Sequence, residues 1–245
     1  MSVSAPAKGA TLRRSYETSP RIYRVMRWLI RRAMHILYRF RLDVQAAFPA
    51  SGPVIITVNH LHLLDPFVVA PVIPRQIVTL TAGKWRDNAL VRFFFKHAGA
   101  IYVNRGEVDR QALRACLDVL SKDGVLAIAP EGTRTKTGGL QQAKAGVAYI
   151  AIKADATIVP VVYWGVENLR DWKKLKRPSC QVLIGKPYRL PKAEKRHTTA
   201  QLQHLSDLIM LRIGLMLPPE YRGVYTERIA AIEAGENTDL DVLVD

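Results

Sequence analysis

The sequence predicts an α/β fold: a mixed, largely parallel sheet flanked by helices, preceded by an N-terminal amphipathic interfacial helix. Three observations predict it. Short apolar, β-branched runs recur at 53–58, 77–82, 100–104, 124–129, 157–163 and 180–185. Helical patterns stand between and after them at 64–72, 86–97, 108–122, 141–154 and 198–216, and regular alternation of the two closes on parallel strands with helices covering the sheet. The chain of 245 residues, 49% hydrophobic, can bury one substantial core, or one core with a small appendage.

Residues 1–20 lack the apolar stretch of a secretory signal and read as a flexible leader. Residues 21–45 follow. Ile22, Val25, Met26, Leu29, Ala33, Ile36, Leu37 and Phe40 keep helical spacing, with Arg21, Arg24, Arg27, Arg31, Arg32 and Arg39 between them and Tyr23, Trp28 and Tyr38 as amphipathic rings. Ser19-Pro20 supplies an N-cap and a first-turn proline. An apolar stripe beside arginines is what an in-plane helix on an anionic bilayer needs; the other reading is a surface helix packed on the domain with solvated arginines. The net charge of +15 is concentrated: residues 1–45 carry ten Lys/Arg against Glu17 and Asp43, and 170–196 carry ten against Asp171 and Glu194. No nucleic-acid module accompanies these arginines, so nucleic acid is not the expected partner. No run approaches the roughly 18 apolar residues of a spanning helix. The expected location is therefore peripheral, on the cytoplasmic face of a membrane.

Residues 46–225 form the expected catalytic domain. In the third helix, Leu113, Cys116, Leu117 and Leu120 make the buried stripe, and Lys122-Asp123-Gly124 ends it. The polar, basic stretch 168–178 reads as an exposed loop, a lip at the membrane or beside a donor substrate. From Thr226 the chain is acidic and reads as a solvated, frayed tail to residue 245. Cys116 and Cys180 fit no metal-ligand spacing and are expected to be reduced.

The chemistry centres on Thr57-Val58-Asn59-His60-Leu61-His62-Leu63-Leu64-Asp65-Pro66-Phe67. His60 and Asp65 follow an apolar strand, where an open α/β sheet presents side chains to ligands. An imidazole there can take a proton from an alcohol, and a carboxylate can fix its tautomer. Five helical residues turn the chain through about 500°, so the two can meet only across a turn or a distorted first helical turn. His62 reads as an exposed turn residue. Three further blocks follow: Gly99-Ala100-Ile101-Tyr102-Val103-Asn104-Arg105, Val125-Leu126-Ala127-Ile128-Ala129-Pro130-Glu131-Gly132-Thr133-Arg134, and Thr157-Ile158-Val159-Pro160-Val161-Val162-Tyr163.

Together, over residues 50 to 190, these four blocks resemble the glycerolipid acyltransferase family, whose best-known members acylate lysophosphatidic acid. The resemblance implies transfer of a fatty acyl group from a thioester, acyl-CoA or acyl carrier protein, to the sn-2 hydroxyl of 1-acyl-glycerol-3-phosphate in phospholipid biosynthesis, with no cofactor and no metal. His60 is then the base and Asp65 its orienting partner. Arg105 and Arg134 hold the phosphate, since guanidinium forks bind it bidentately, and Glu131, Gly132 and Thr133 complete that site. Glu131 would repel a phosphate, so it is expected to hydrogen-bond glycerol or brace an arginine; Gly132 would let the chain approach the ligand. Lys84 and Lys144 match positions near the acceptor, with a solvated surface role as the alternative. Phe93-Phe94-Phe95 or Ile150 could line an acyl tunnel or simply pack in the core. Glycerol 3-phosphate or another lysophospholipid as acceptor, and a non-catalytic module binding anionic lipid, remain open.

Overall fold

A computed structural model describes residues 19–62, 65–82, 99–103, 109–174, 176–191 and 197–236. Helix α1 (Pro20–Leu37) leads into strand β1 (Arg39–Val44), followed by β2 (Val54–Val58), α2 (Asp65–Val69), β3 (Ile77–Ala82), β4 (Ala100–Val103), α3 (Arg110–Leu120), β5 (Val125–Ile128), α4 (Gly146–Lys153), β6 (Thr157–Trp164), a 3₁₀ segment (Val166–Lys174), β7 (Ser179–Ile184), α5 (Thr199–Leu215), two 3₁₀ turns (Pro219–Tyr221 and Gly223–Tyr225) and α6 (Thr226–Glu233). The expected leader falls outside the described residues except for its last two positions. The expected helix at 86–97 lies wholly outside them.

The strands form one sheet in the order β1-β7-β6-β2-β5-β3-β4. Every pairing is parallel except β6 with β7, which matches the mixed, largely parallel expectation. Central β2 is buried along its whole length. Its side chains alternate between two cores, as the period of two requires. Ile55 joins α3, α4, α5 and α6 on one face, while Val54, Ile56 and Val58 join α1 and α2 on the other. Because β2, β3, β4, β5 and β6 run the same way, their carboxyl ends share one edge of the sheet, where a crevice for a ligand forms.

Helix ends carry recognisable chemistry. Asp109 caps α3 by accepting the N–H groups of Gln111 and Ala112, and Thr198 with Gln201 makes a capping box on α5. The buried stripe of α3 is Ala112, Ala115, Cys116, Val119 and Leu120; Leu113 and Leu117 sit half-buried at its border. Of the expected helix 141–154, only Gly146–Lys153 is helical, and the preceding residues form a loop that reaches the sheet's carboxyl edge.

Two expected boundaries are corrected. The N-terminal helix does not run to residue 45: it ends at Leu37, and Arg39–Val44 pairs with β7 as an edge strand. Phe40, Leu42 and Val44 alternate with Arg39, Arg41 and Asp43, a period of two that the helical stripe ending on Phe40 obscures. The chain from Thr226 is not a frayed tail throughout, because Thr226–Glu233 is helical and its Ile229 is fully buried. Gly214 on α5 makes room for that isoleucine; a Cβ there would stand 2.3 Å from Ile229 Cδ1.

Helix α1 meets the domain through residues other than most of its apolar stripe. Tyr23 and Met34 are buried against the domain, and Ile30 packs beside them. Ile22, Val25, Leu29, Ile36 and Leu37 remain exposed. The stretch 168–178, expected as a free loop, is tied to the end of this helix: Trp172 Nε1 donates to Leu37 O at 2.8 Å and Arg177 Nη2 to Tyr38 O at 2.7 Å.

Candidate active site

The site begins where β2 and β6 separate. Asn59 is fully buried. Its Nδ2 donates to Tyr163 O at 2.8 Å, its Oδ1 accepts the Tyr163 N–H at 3.1 Å, and the Tyr163 hydroxyl donates to Asn59 O. Burial, and next the charge of Asp65, push the Tyr163 hydroxyl far above its ordinary pKa, so it stays a donor. These bonds satisfy backbone groups that the diverging strands would leave orphaned, and they fix the chain immediately before His60.

Beyond Asn59 the backbone turns. The Asp65 N–H donates to His62 O at 3.3 Å, and the His62 N–H returns to Asp65 Oδ1 at 2.8 Å. The turn brings Asp65 Oδ2 to 2.6 Å from His60 Nδ1. The predicted pair therefore meets, and it does so across a turn into the first residue of α2, as the spacing demands. An ionised carboxylate can only accept, so Nδ1 carries the proton and Nε2 keeps its lone pair. Asp65 is 5% exposed, whereas the His60 side chain is 22% exposed: the brace is buried and the base is partly open to solvent.

A second loop, leaving β5, closes on the first. Glu131, 2% exposed, accepts the His60 N–H at 3.0 Å through Oε1 and the Gln141 N–H at 2.9 Å through Oε2. Thr135 N–H donates to His60 O at 2.9 Å. Burial pushes the Glu131 carboxyl up, and the N–H groups of Gln141 and His60 pull it partly back. Glu131 is expected at glycerol or an arginine; among the described residues its carboxylate holds the two loops together. Both oxygens serve backbone N–H groups, because the two loops converge with unpaired donors that only an acceptor can satisfy.

Gly132 has φ +68°, and a Cβ there would lie 3.0 Å from Lys144 Cδ and Cε. Its missing side chain admits the Lys144 stem. The Lys144 N–H donates to Pro130 O at 2.9 Å; the side chain of this exposed residue lies over Gly132 as far as Nζ. Thr133 is exposed, and its carbonyl accepts Gln141 Nε2 at 3.3 Å. Arg134 is half-buried and makes no hydrogen bond or ion pair to another described residue. Arg105 and Lys84, with Phe93-Phe94-Phe95, lie outside the described residues. The strands leading to Arg105 and Lys84, β4 and β3, finish at the same sheet edge as His60. Ile150 is buried in the core.

Neither cysteine is a nucleophile. Both are free and buried, and burial pushes each thiol up to about 12. Among the described residues, no cluster of His, Cys, Asp or Glu could hold a metal ion. Sequence reasoning missed Asn59, Tyr163 and Gln141. Asn59 alone gave a signal, an amide ending an otherwise apolar run.

Comparisons with known proteins bear on this arrangement. A family model described as Acyltransferase matches residues 39–164, from the first residue of β1 to the last of β6. Human 1-acyl-sn-glycerol-3-phosphate acyltransferase alpha is 28% identical over 165 residues, 63% of this chain and 58% of the human protein. The 1-acyl-sn-glycerol-3-phosphate acyltransferase of Borreliella burgdorferi is 28% identical over 123 residues, 49% of each chain. The chain thus matches 58% and 49% of the length of these two relatives. Among solved structures, the 1-acyl-sn-glycerophosphate acyltransferase of Thermotoga maritima superposes with a TM-score of 0.57 at 18% identity, covering 78% of this chain and 77% of that one, a likeness of fold. With more than half its length matched, and with the histidine and aspartate of its motif in contact at the sheet's carboxyl edge, the chain belongs to the acyltransferase family.

Proposed function

We propose that this protein transfers a fatty acyl group from an acyl thioester to the free hydroxyl of 1-acyl-sn-glycerol-3-phosphate, giving phosphatidic acid. The observation that carries the proposal is the 2.6 Å contact between His60 Nδ1 and Asp65 Oδ2. It leaves Nε2 to take the proton from the acceptor hydroxyl as that oxygen attacks the thioester carbonyl. Asp65 stabilises the imidazolium that forms. Collapse of the tetrahedral adduct breaks the C–S bond, and the imidazolium returns its proton to the departing thiolate. With both thiols buried and no serine in the segment around His60, the acceptor's own hydroxyl is the nucleophile.

A phosphate needs cations beside that hydroxyl. Arg134 and Lys144, whose side chains pair with no other described residue, supply positive charge next to the His60 loop, and Arg105 and Lys84 follow strands that end at the same edge. The names of the relatives favour a lysophosphatidate acceptor over bare glycerol phosphate. Purified protein incubated with 1-acyl-glycerol-3-phosphate and an acyl thioester, either coenzyme A or carrier-protein bound, is expected to release one thiol per phosphatidic acid detected by mass spectrometry. Thiol release without acceptor would indicate a hydrolase, and no turnover across a panel of lyso-acceptors and both donors would indicate a lipid-binding module.

Peripheral attachment to an anionic bilayer, on the cytoplasmic face, belongs to the same proposal. Residues 22, 25, 29, 33 and 36 form one side of α1 at 100° per residue, and the large side chains among them, Ile22, Val25, Leu29 and Ile36, are 44–68% exposed. Exposed Arg21, Arg24, Arg31 and Arg32 flank that stripe, and exposed Leu42, Val44 and Trp172 extend the apolar surface. No described helix is long and apolar enough to cross a membrane. Removing residues 1–45 would also remove an edge strand, so the informative variant is the double substitution Val25→Asp/Leu29→Asp. It is expected to abolish co-sedimentation with anionic vesicles while the protein stays folded. Unchanged co-sedimentation would contradict the docking surface.

A further inference from the structure

The loop from Glu131 to Gly146 carries Lys144 and shapes the crevice, yet it is held by residues far beyond the matched family region, which ends at Trp164. Ala143, next to Lys144, is clamped on both sides of its backbone. Its N–H donates to the Tyr225 hydroxyl at 3.0 Å, and its carbonyl accepts Gln203 Nε2 at 2.9 Å. The Tyr225 hydroxyl in turn donates to Asp207 Oδ1 at 2.6 Å. Tyr225 is 3% exposed, and it precedes α6, which is pinned to α5 through Ile229 on Gly214. A second anchor lies upstream: Leu140 N–H donates to Tyr221 O at 2.9 Å, and Leu140 O accepts the Val224 N–H at 3.1 Å.

We infer that Tyr225, with Asp207 and Gln203, is a positioning residue for acyl transfer, fixing the Gln141–Lys144 stretch so that Lys144 meets the acceptor's phosphate. The inference rests on the lysophosphatidate reading for the identity of the ligand, but the clamp itself is a matter of structure. A tyrosine hydroxyl that accepts from a backbone N–H and donates to a carboxylate has both functions committed, so the loop's position follows from that of the C-terminal helices. The clamp touches no reacting atom. Its effect is on acceptor binding, not on the proton transfer at His60.

The test is Tyr225→Phe, which keeps the buried ring and removes only the hydroxyl. Two readouts are needed. Hydrogen exchange of a peptide spanning 141–146 is expected to accelerate in the variant while exchange across β2 and β5 stays unchanged. The acceptor KM is expected to rise roughly five- to tenfold, the size of one lost buried hydrogen bond, with donor KM and kcat within about twofold. Asp207→Leu should give the same phenotype; Asp207→Asn, which retains an acceptor oxygen, should raise the acceptor KM less. Should Tyr225→Phe fail to fold, the Asp207 pair carries the test. Unchanged exchange at 141–146 would overturn the clamp. Unchanged acceptor KM with faster exchange would overturn its role in positioning, as would a parallel loss of kcat, both KM values and Tm. Absence of wild-type transfer to any lyso-acceptor would instead contradict the substrate reading, and the exchange arm would still decide the clamp.

Discussion

Two loops meet at the carboxyl edge of the sheet, and they are held in opposite ways. In the His60 loop the backbone is held by Tyr163, Glu131 and Thr135, but the imidazole is braced from within: Asp65, five residues on, supplies one oxygen to the ring and the other to the turn that carries it. The Glu131–Gly146 loop depends on distant chain. Its backbone is fixed by Gln203 and Tyr225, 60 and 82 residues from Ala143, and by Tyr221 and Val224 around Leu140. Glu131 joins the two, accepting one N–H from each loop. In the proposed reaction the imidazole is thus oriented by a near neighbour, whereas the position of Lys144 is set by the tertiary fold.

Substitutions that break one loop and spare the other sharpen the contrast. The largest effect is expected from Asp65→Asn. An amide presents a donor to Nδ1 and favours the wrong tautomer, so kcat should fall by about 10³-fold with acceptor KM nearly unchanged; steady-state kinetics on the folded variant check this. Ile229→Ala opens a cavity beneath α6 and should cost about 2–5 kcal/mol, measured by denaturant unfolding, with a rise in acceptor KM in the population that remains folded. Lys144→Ala removes one charge-assisted contact and should raise acceptor KM roughly tenfold while leaving donor KM and kcat close to wild type.

The smallest effect is electrostatic. Burial raises the Glu131 pKa in the folded state above its unfolded value, so the native protein binds more protons there than the unfolded chain. That contribution to stability is fully present below the unfolded pKa of about 4.3 and is lost as pH rises through the higher folded value. The Glu131→Gln variant lacks the term. Unfolding free energies measured from pH 4 upward should therefore show a downward slope in wild type that is absent from the variant.

Legibility from sequence followed the same division. The dyad could be read because histidine, aspartate and the strand before them are near neighbours, and a spacing of five forced a turn between them. The parallel sheet was legible from alternating apolar runs. Arg39–Val44 was not, because Phe40 satisfies both the helical stripe and the strand alternation; pairing with β7, some 140 residues on, decides between them. The loop-joining role of Glu131 was not legible, because the two N–H groups it accepts come from residues 71 and 10 positions away that only the folded chain brings together. Tyr225 and Asp207 gave no signal, since their meaning resides in an amide at Ala143 that only the folded chain brings near. On α1, the stripe read as a bilayer face is exposed, and the domain is met by Tyr23, Ile30 and Met34, which that stripe did not single out as packing residues.

The central claim is that His60, oriented by Asp65, deprotonates the acceptor hydroxyl. It is tested most directly by single-turnover acyl transfer with His60→Ala, in protein whose thermal unfolding matches wild type. A rate lower by about 10²–10⁴-fold is expected, the usual worth of a positioned base, with acceptor binding retained. Transfer by the variant within a few-fold of the wild-type rate would contradict the account.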